Sequence, residues 1–170
     1  MAVVLLSTTA LALAGLLFTS VQGFSVEAGV AAAGTLVPRH VGYAIPTVLL
    51  SLFSQSMVIF YFIGTGRLVK DEIGGYPEEQ RRAILRALSD FKRRTSPPAT
   101  FALLSAIGVF VLGGAVHTRA LPTWTHLAAS LLAVGLHFWA LFAEWRVFGE
   151  NNALMNDPRV FAARAAGGGP

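Results

Sequence analysis

His126, Ser130, Ala133, His137, Ala140 and Glu144 follow one another at spacings of four, three, four, three and four. On an α-helix those steps define a single face. Small residues and every ionisable group of the stretch share that face, while Leu132, Trp139, Phe142 and Trp145 lie elsewhere. A second stretch repeats the pattern. His40, Tyr43, Thr47, Ser51, Ser54, Tyr61 and Thr65 fall along one face, interrupted by Val58, with Gln55 adjacent. Counted down from His40 and from His126, Ser51 reaches the depth of His137, and Ser54 and Gln55 lie about one helical turn deeper. If the two faces meet, His137 has hydroxyl and amide partners, and His40 and His126 sit together at one end with His117 nearby.

Four chemistries fit this pattern. A b-type haem needs two neutral imidazoles at one level, and His40, His117 and His126 are the candidates by depth. His137 has no second histidine at its level, which disfavours a mid-depth haem. A quinone site needs an apolar slot with a few donors, for which His137, Ser51, Gln55 and Tyr61 are the candidates. A proton or small-solute path would run from His126 through Ser130 and His137 to Glu144. A zinc or copper site would draw on the end histidines, although no residue is assigned as a metal ligand. The plain alternative is structural. Serine and threonine in apolar helices often bond their own backbone, and a lone histidine is often bonded across a packed helix interface.

The elements that must carry these residues are legible from missing charge. Residues 2–22, 41–66, 101–117 and 126–147 are long apolar stretches almost free of charged side chains. In a bilayer only chains that satisfy their own backbone persist, so such runs read as membrane-spanning helices. Of the 170 residues, 54% are hydrophobic and 13% charged, against about 25% charged in soluble domains. There is no cysteine, which excludes disulfides, thiolate-bound zinc or iron–sulfur clusters, covalent c-type haem and palmitoylation. Catalytic triads and zincin patterns are missing too. Gly64-Thr65-Gly66-Arg67 shares only glycines with a phosphate loop. No catalytic residue is assigned, and the chain is not expected to be an enzyme by itself.

Eight of the thirteen Lys and Arg residues lie between Arg67 and Arg94, and Arg146, Arg159 and Arg164 lie in the tail. Only Arg39 and Arg119 fall in the other two connections. Basic residues flanking spans stay on the cytoplasmic side, so both termini and the central loop are expected inside. The net charge of +4 therefore reflects topology, and nucleic acid is not expected as a partner. A secretory signal is the rival reading of the first stretch. The missing positive n-region and the length of the apolar run argue for a span.

Between the spans, Gly23 to Arg39 is long for a connection and has room for a short helix on the outer surface. Pro46 is expected to bend the second span. Pro77 to Arg94 reads as an amphipathic helix, with Pro77, Glu78 and Glu79 at its start and Lys92, Arg93 and Arg94 at its end. Its apolar face is Ile84, Leu85, Leu88 and Phe91. It is expected to rest on its own bundle, to lie on the inner leaflet or to dock a soluble partner. Ser96-Pro97-Pro98 is expected to end it before the third span. In the tail 156–170, Asp157 and Pro158 signal a small helix start, and Gly167 to Pro170 is expected to be disordered. Glu144 and Arg146 read as edge residues, and Tyr43, Trp124 and Trp145 as interfacial aromatics.

The expected fold is all-α. It is a polytopic membrane bundle of four transmembrane helices with both termini cytoplasmic and an amphipathic helix in the central cytoplasmic loop. A bacterial inner membrane is the expected location. The leading functional expectation is a small membrane subunit of an electron-transfer complex that holds haem b or quinone. A proton or solute permease and a membrane scaffold are the alternatives. Expected partners are the lipid bilayer and other membrane subunits or further copies of the chain. Size and span count resemble those of the small membrane-anchor subunits of respiratory enzymes, an analogy of architecture alone.

Overall fold

The computed structural model describes residues 1–27, 33–157 and 160. Every regular element among them is helical: α1 (Ala2–Glu27), α2 (Ala33–Glu72), a 3-10 turn (Ile73–Gly75), α3 (Glu78–His117) and α4 (Thr123–Met155). All four α-helices are long and apolar enough to cross a membrane. At 1.5 Å per residue the 40 residues of α2 extend about 60 Å, roughly twice the hydrocarbon thickness. The 40 residues of α3 do the same, so both helices continue past their apolar segments.

Each helix packs on two neighbours, α1 on α2 and α4, and α3 on α2 and α4, which leaves α2 and α4 diagonal to each other. Inward faces carry small residues: Ala99, Ala102 and Ala106 on α3 and Ala133 and Ala140 on α4 are fully buried. Without a hydrophobic force between helices in lipid, such residues let backbones approach for dispersion contact. Gly15 of α1 is the closest case, because a Cβ there would stand 2.8 Å from Oγ1 of Thr47. Outward faces carry the bulk, with Leu132, Trp139, Phe142 and Trp145 all exposed, as are Tyr43 and Trp124.

One apolar cluster closes the end that holds the α2–α3 turn. Val69, Ile73, Ile84, Leu88, Phe91 and Phe148 belong to it, with Leu5 of α1 and Val160 of the tail. Both ends of the described chain therefore lie at the same end of the molecule as that turn. The apolar face of the loop helix is spent here: Ile84, Leu88 and Phe91 are buried in the protein's own cluster. The guanidinium of Arg94 ties α3 to Glu150 of α4, with an Nη1 to Oε1 distance of 3.0 Å. At the opposite end α3 stops in a Schellman motif. Ala120 N–H bonds the Ala115 carbonyl (2.9 Å) and Arg119 N–H that of Val116 (2.9 Å). Arg119 takes the left-handed conformation this requires, at φ 60°.

Two expectations change. The loop helix and the third span are one helix, with Pro97 and Pro98 inside it. Proline's φ is itself helical, and its cost is a lost N–H and a clash with the carbonyl four residues back; burial of Thr95, Pro98 and Ala99 offsets that cost and the segment stays helical. Likewise α2 runs through Pro38 and Pro46. Most of the segment expected as a long outer connection is helix, since α1 reaches Glu27 and α2 starts at Ala33. The tail helix at Pro158 and the glycines 167–169 lie outside the described residues, except that Val160 N–H bonds the Asp157 carbonyl at 2.9 Å.

Candidate functional site

The inward face of α4 is the stripe read from sequence: Ala133, His137, Ala140 and Glu144 are fully buried and Ser130 nearly so. Opposite it, Ser51, Ser54, Gln55 and Val58 of α2 are fully buried. The third wall is α1, where Leu5, Thr9, Ala12, Leu16 and Thr19 are buried at spacings of four, three, four and three.

His137 and Ser51 meet across the diagonal, with Nε2 hydrogen-bonded to the serine hydroxyl. The other ring nitrogen, Nδ1, lies 2.8 Å from the Ala133 carbonyl. A carbonyl only accepts, so Nδ1 carries the proton and Nε2 accepts from Ser51. Both ring nitrogens are thus engaged, and His137 offers none to an iron.

One turn further along α2 lies the second group. Thr9 Oγ1 donates to Oε2 of Glu144 over 2.9 Å and is 2.9 Å from the hydroxyl of Ser54. Glu144 Oε1 and both amide atoms of Gln55 are buried without a hydrogen-bond partner, and Gln55 lies beside the Glu144 carboxyl. Among the described residues no Lys, Arg or His forms an ion pair with Glu144. This corrects the expectation that Glu144 is an edge residue. Its carboxyl is instead enclosed in the interior, where it meets Thr9 of α1. Arg146 is the edge residue, exposed with its guanidinium 4.2 Å over the Phe142 ring.

Tyr61 does not join His137. It accepts a 3.1 Å hydrogen bond from the amide of Asn151 and packs on Phe62 and Phe148. At the far end the His40 and His126 rings stand edge to face, 6.1 Å between centroids. His40 lies by the backbone of Thr19 and His126 by that of Val109, and both Nδ1 atoms are buried and unpartnered. His117 is exposed at the end of α3. Among the described residues no group of three or more His, Cys, Asp or Glu could hold a metal ion, so the end histidines form no such site.

The candidate quinone residues are thereby divided: Ser51 with His137, Gln55 with Glu144, Tyr61 with Asn151. Sequence reasoning missed Thr9 and Asn151. Thr9 had a signal, because the small and polar residues of α1 repeat at the same helical spacing as those of α4. Asn151 lies seven residues after Glu144 on the same face, two turns beyond the last residue of the stripe. No protein-family model matches this chain, and searches of curated proteins and of solved structures returned no match.

Proposed function

We propose that this chain is a multi-pass membrane protein that carries protons along the interior between α1, α2 and α4. Glu144 is the group that takes up and releases the proton. One observation carries the reading: a fully buried carboxyl with no cationic partner among the described residues, bonded to Thr9 and through it to Ser54. A carboxyl inside a membrane helix is costly, and such groups mark ion and proton pathways.

The three oxygens serve both protonation states. With Glu144 ionised, Ser54 donates to Thr9 and Thr9 to the carboxylate. With Glu144 protonated, its O–H donates to Thr9 and Thr9 to Ser54. The switch reverses each hydrogen bond and moves no heavy atom. Gln55, with a donor and an acceptor both unpartnered, stands one turn from Ser51, where a rotation of its amide would bridge this group to the His137 pair. Towards the loop end the path continues to Tyr61 and Asn151.

The test is proton flux into liposomes that enclose a pH-sensitive dye and carry the purified chain. Flux above that of empty liposomes is expected, falling at least tenfold in Glu144→Gln, which keeps an acceptor for Thr9 and nearly the same shape. Flux equal to empty liposomes, or unchanged in Glu144→Gln, overturns the reading.

A second reading, the electron-transfer subunit, is favoured by the paired His40 and His126 rings and their unpartnered Nδ1 atoms. Under it these two residues bind a b-type haem at the far end. A dithionite-reduced minus oxidised spectrum should then show a haem band that His126→Ala removes; a flat spectrum eliminates it.

A further inference from the structure

A groove of about 830 Å³ runs between α2 and α3 at the end that holds their connecting turn. Four cations line it: Arg67, Lys70, Arg81 and Lys92, against one carboxylate, Asp71. Arg81 is held by Glu78. Among the described residues no carboxylate pairs with Arg67, Lys70 or Lys92. The floor is apolar, from buried Phe62, Ile73 and Leu88, with exposed Ile63 at one end.

The order of these residues along the helices gives the groove a direction. Ile63 ends the apolar run of α2. Arg67 is four residues on, about 6 Å further along the axis. The polar zone of a bilayer is about 5–7 Å deep on each side of the hydrocarbon, so with Ile63 at the hydrocarbon edge Arg67 would stand at the level of lipid phosphates. Lys92 comes from α3, which runs the opposite way, and lines the same groove.

We propose that this groove binds an anionic phospholipid of the adjoining leaflet. Its phosphodiester sits between Arg67 and Lys92 and its acyl chain runs along Phe62 and Ile63. The unpaired positive charge selects an anionic headgroup. The apolar floor leading into the hydrocarbon selects a lipid over a free phosphate or a soluble acidic chain, neither of which would use Ile63. The site is independent of the proton path, whose residues lie on the interior faces.

The experiment is native mass spectrometry of the full chain in detergent with dioctanoyl phosphatidylglycerol or dioctanoyl phosphatidylcholine, and with inorganic phosphate or polyglutamate as competitors. Phosphatidylglycerol is expected to remain bound at least tenfold more tightly than phosphatidylcholine, and phosphate not to compete. Arg67→Gln with Lys92→Gln should weaken phosphatidylglycerol at least tenfold. Arg82→Gln with Arg86→Gln, on α3 outside the groove, should leave it unchanged. The charge-keeping pair Arg67→Lys with Lys92→Arg should retain it, which separates lost charge from lost fold. Equal binding of the two lipids, displacement by phosphate or polyglutamate, or an equal loss in the Arg82 and Arg86 variant overturns the proposal.

Discussion

Thr9 and Glu144, 135 residues apart in the chain, are joined by a 2.9 Å hydrogen bond in which the threonine hydroxyl donates to Oε2. The bond connects the first helix to the last and supplies the buried carboxyl with a donor. Thr9→Val keeps the shape and removes that donor. A buried acceptor left unsatisfied costs about 1–3 kcal/mol, so the melting temperature in detergent should fall. Under the proton reading, flux should also fall while Thr9→Ser restores it. An unchanged melting temperature in Thr9→Val would mean that the carboxyl finds another donor.

Ser51 and His137 form the other crossing of the interior, and their bond fixes the histidine tautomer with its proton on Nδ1. Ser51→Ala should release Nε2 without moving Nδ1 from the Ala133 carbonyl. The expected readout is a change in the Nε2 nitrogen shift of His137 by NMR, with that of Nδ1 little altered. A similar change at both nitrogens would argue against this arrangement.

Gly15 and Thr47 set the closeness of α1 to α2. A Cβ at Gly15 would stand 2.8 Å from the threonine Oγ1 and 2.9 Å from its Cγ2. Thr47 is β-branched and stiff at χ1, so relief must come from helix separation. Gly15→Ala should destabilise by about 1–3 kcal/mol. By contrast Gly108→Ala meets nothing within 4 Å and should be neutral or gain up to about 1 kcal/mol from helix propensity. Thermal melts of the two variants side by side check the contrast, and equal melting points would refute it.

Arg119 occupies the left-handed position of the α3–α4 turn at φ 60°. A side chain there costs roughly 1–2 kcal/mol. Arg119→Gly should therefore raise stability by about 1 kcal/mol, less what glycine loses in the unfolded chain. A lower melting temperature would show that the arginine side chain outweighs the strain.

The inward face of α4 and the middle of that of α2 were legible in the sequence because a helix repeats every 3.6 residues, although Tyr43, read on the same face of α2, is exposed and Val58 and Gln55, read as interruption and neighbour, are fully buried. A stripe of small and polar residues at steps of three and four can only be one face, and polar groups in an apolar helix turn away from lipid. His40 with His126 and Ser51 with His137 share one offset of 86 residues, so their equal depth follows from counting along two helices that run the same way. Lack of charge likewise marked the four long helices. What periodicity does not carry is which third helix closes the seam. Thr9 follows Ser7 and Thr8 in an otherwise apolar run, where its helical spacing marks a face but a threonine still looks like a backbone-bonded residue, as Thr8 is, and only packing α1 against α2 and α4 brings it to Glu144. The same packing enclosed Glu144, which local sequence placed at an edge because Arg146 follows it, and drew Pro97 and Pro98 into a continuous helix. The sequence determined the faces, since those depend on the geometry of one helix at a time. Tertiary structure decided the partners, since contacts between distant segments depend on how the helices are arranged around one another.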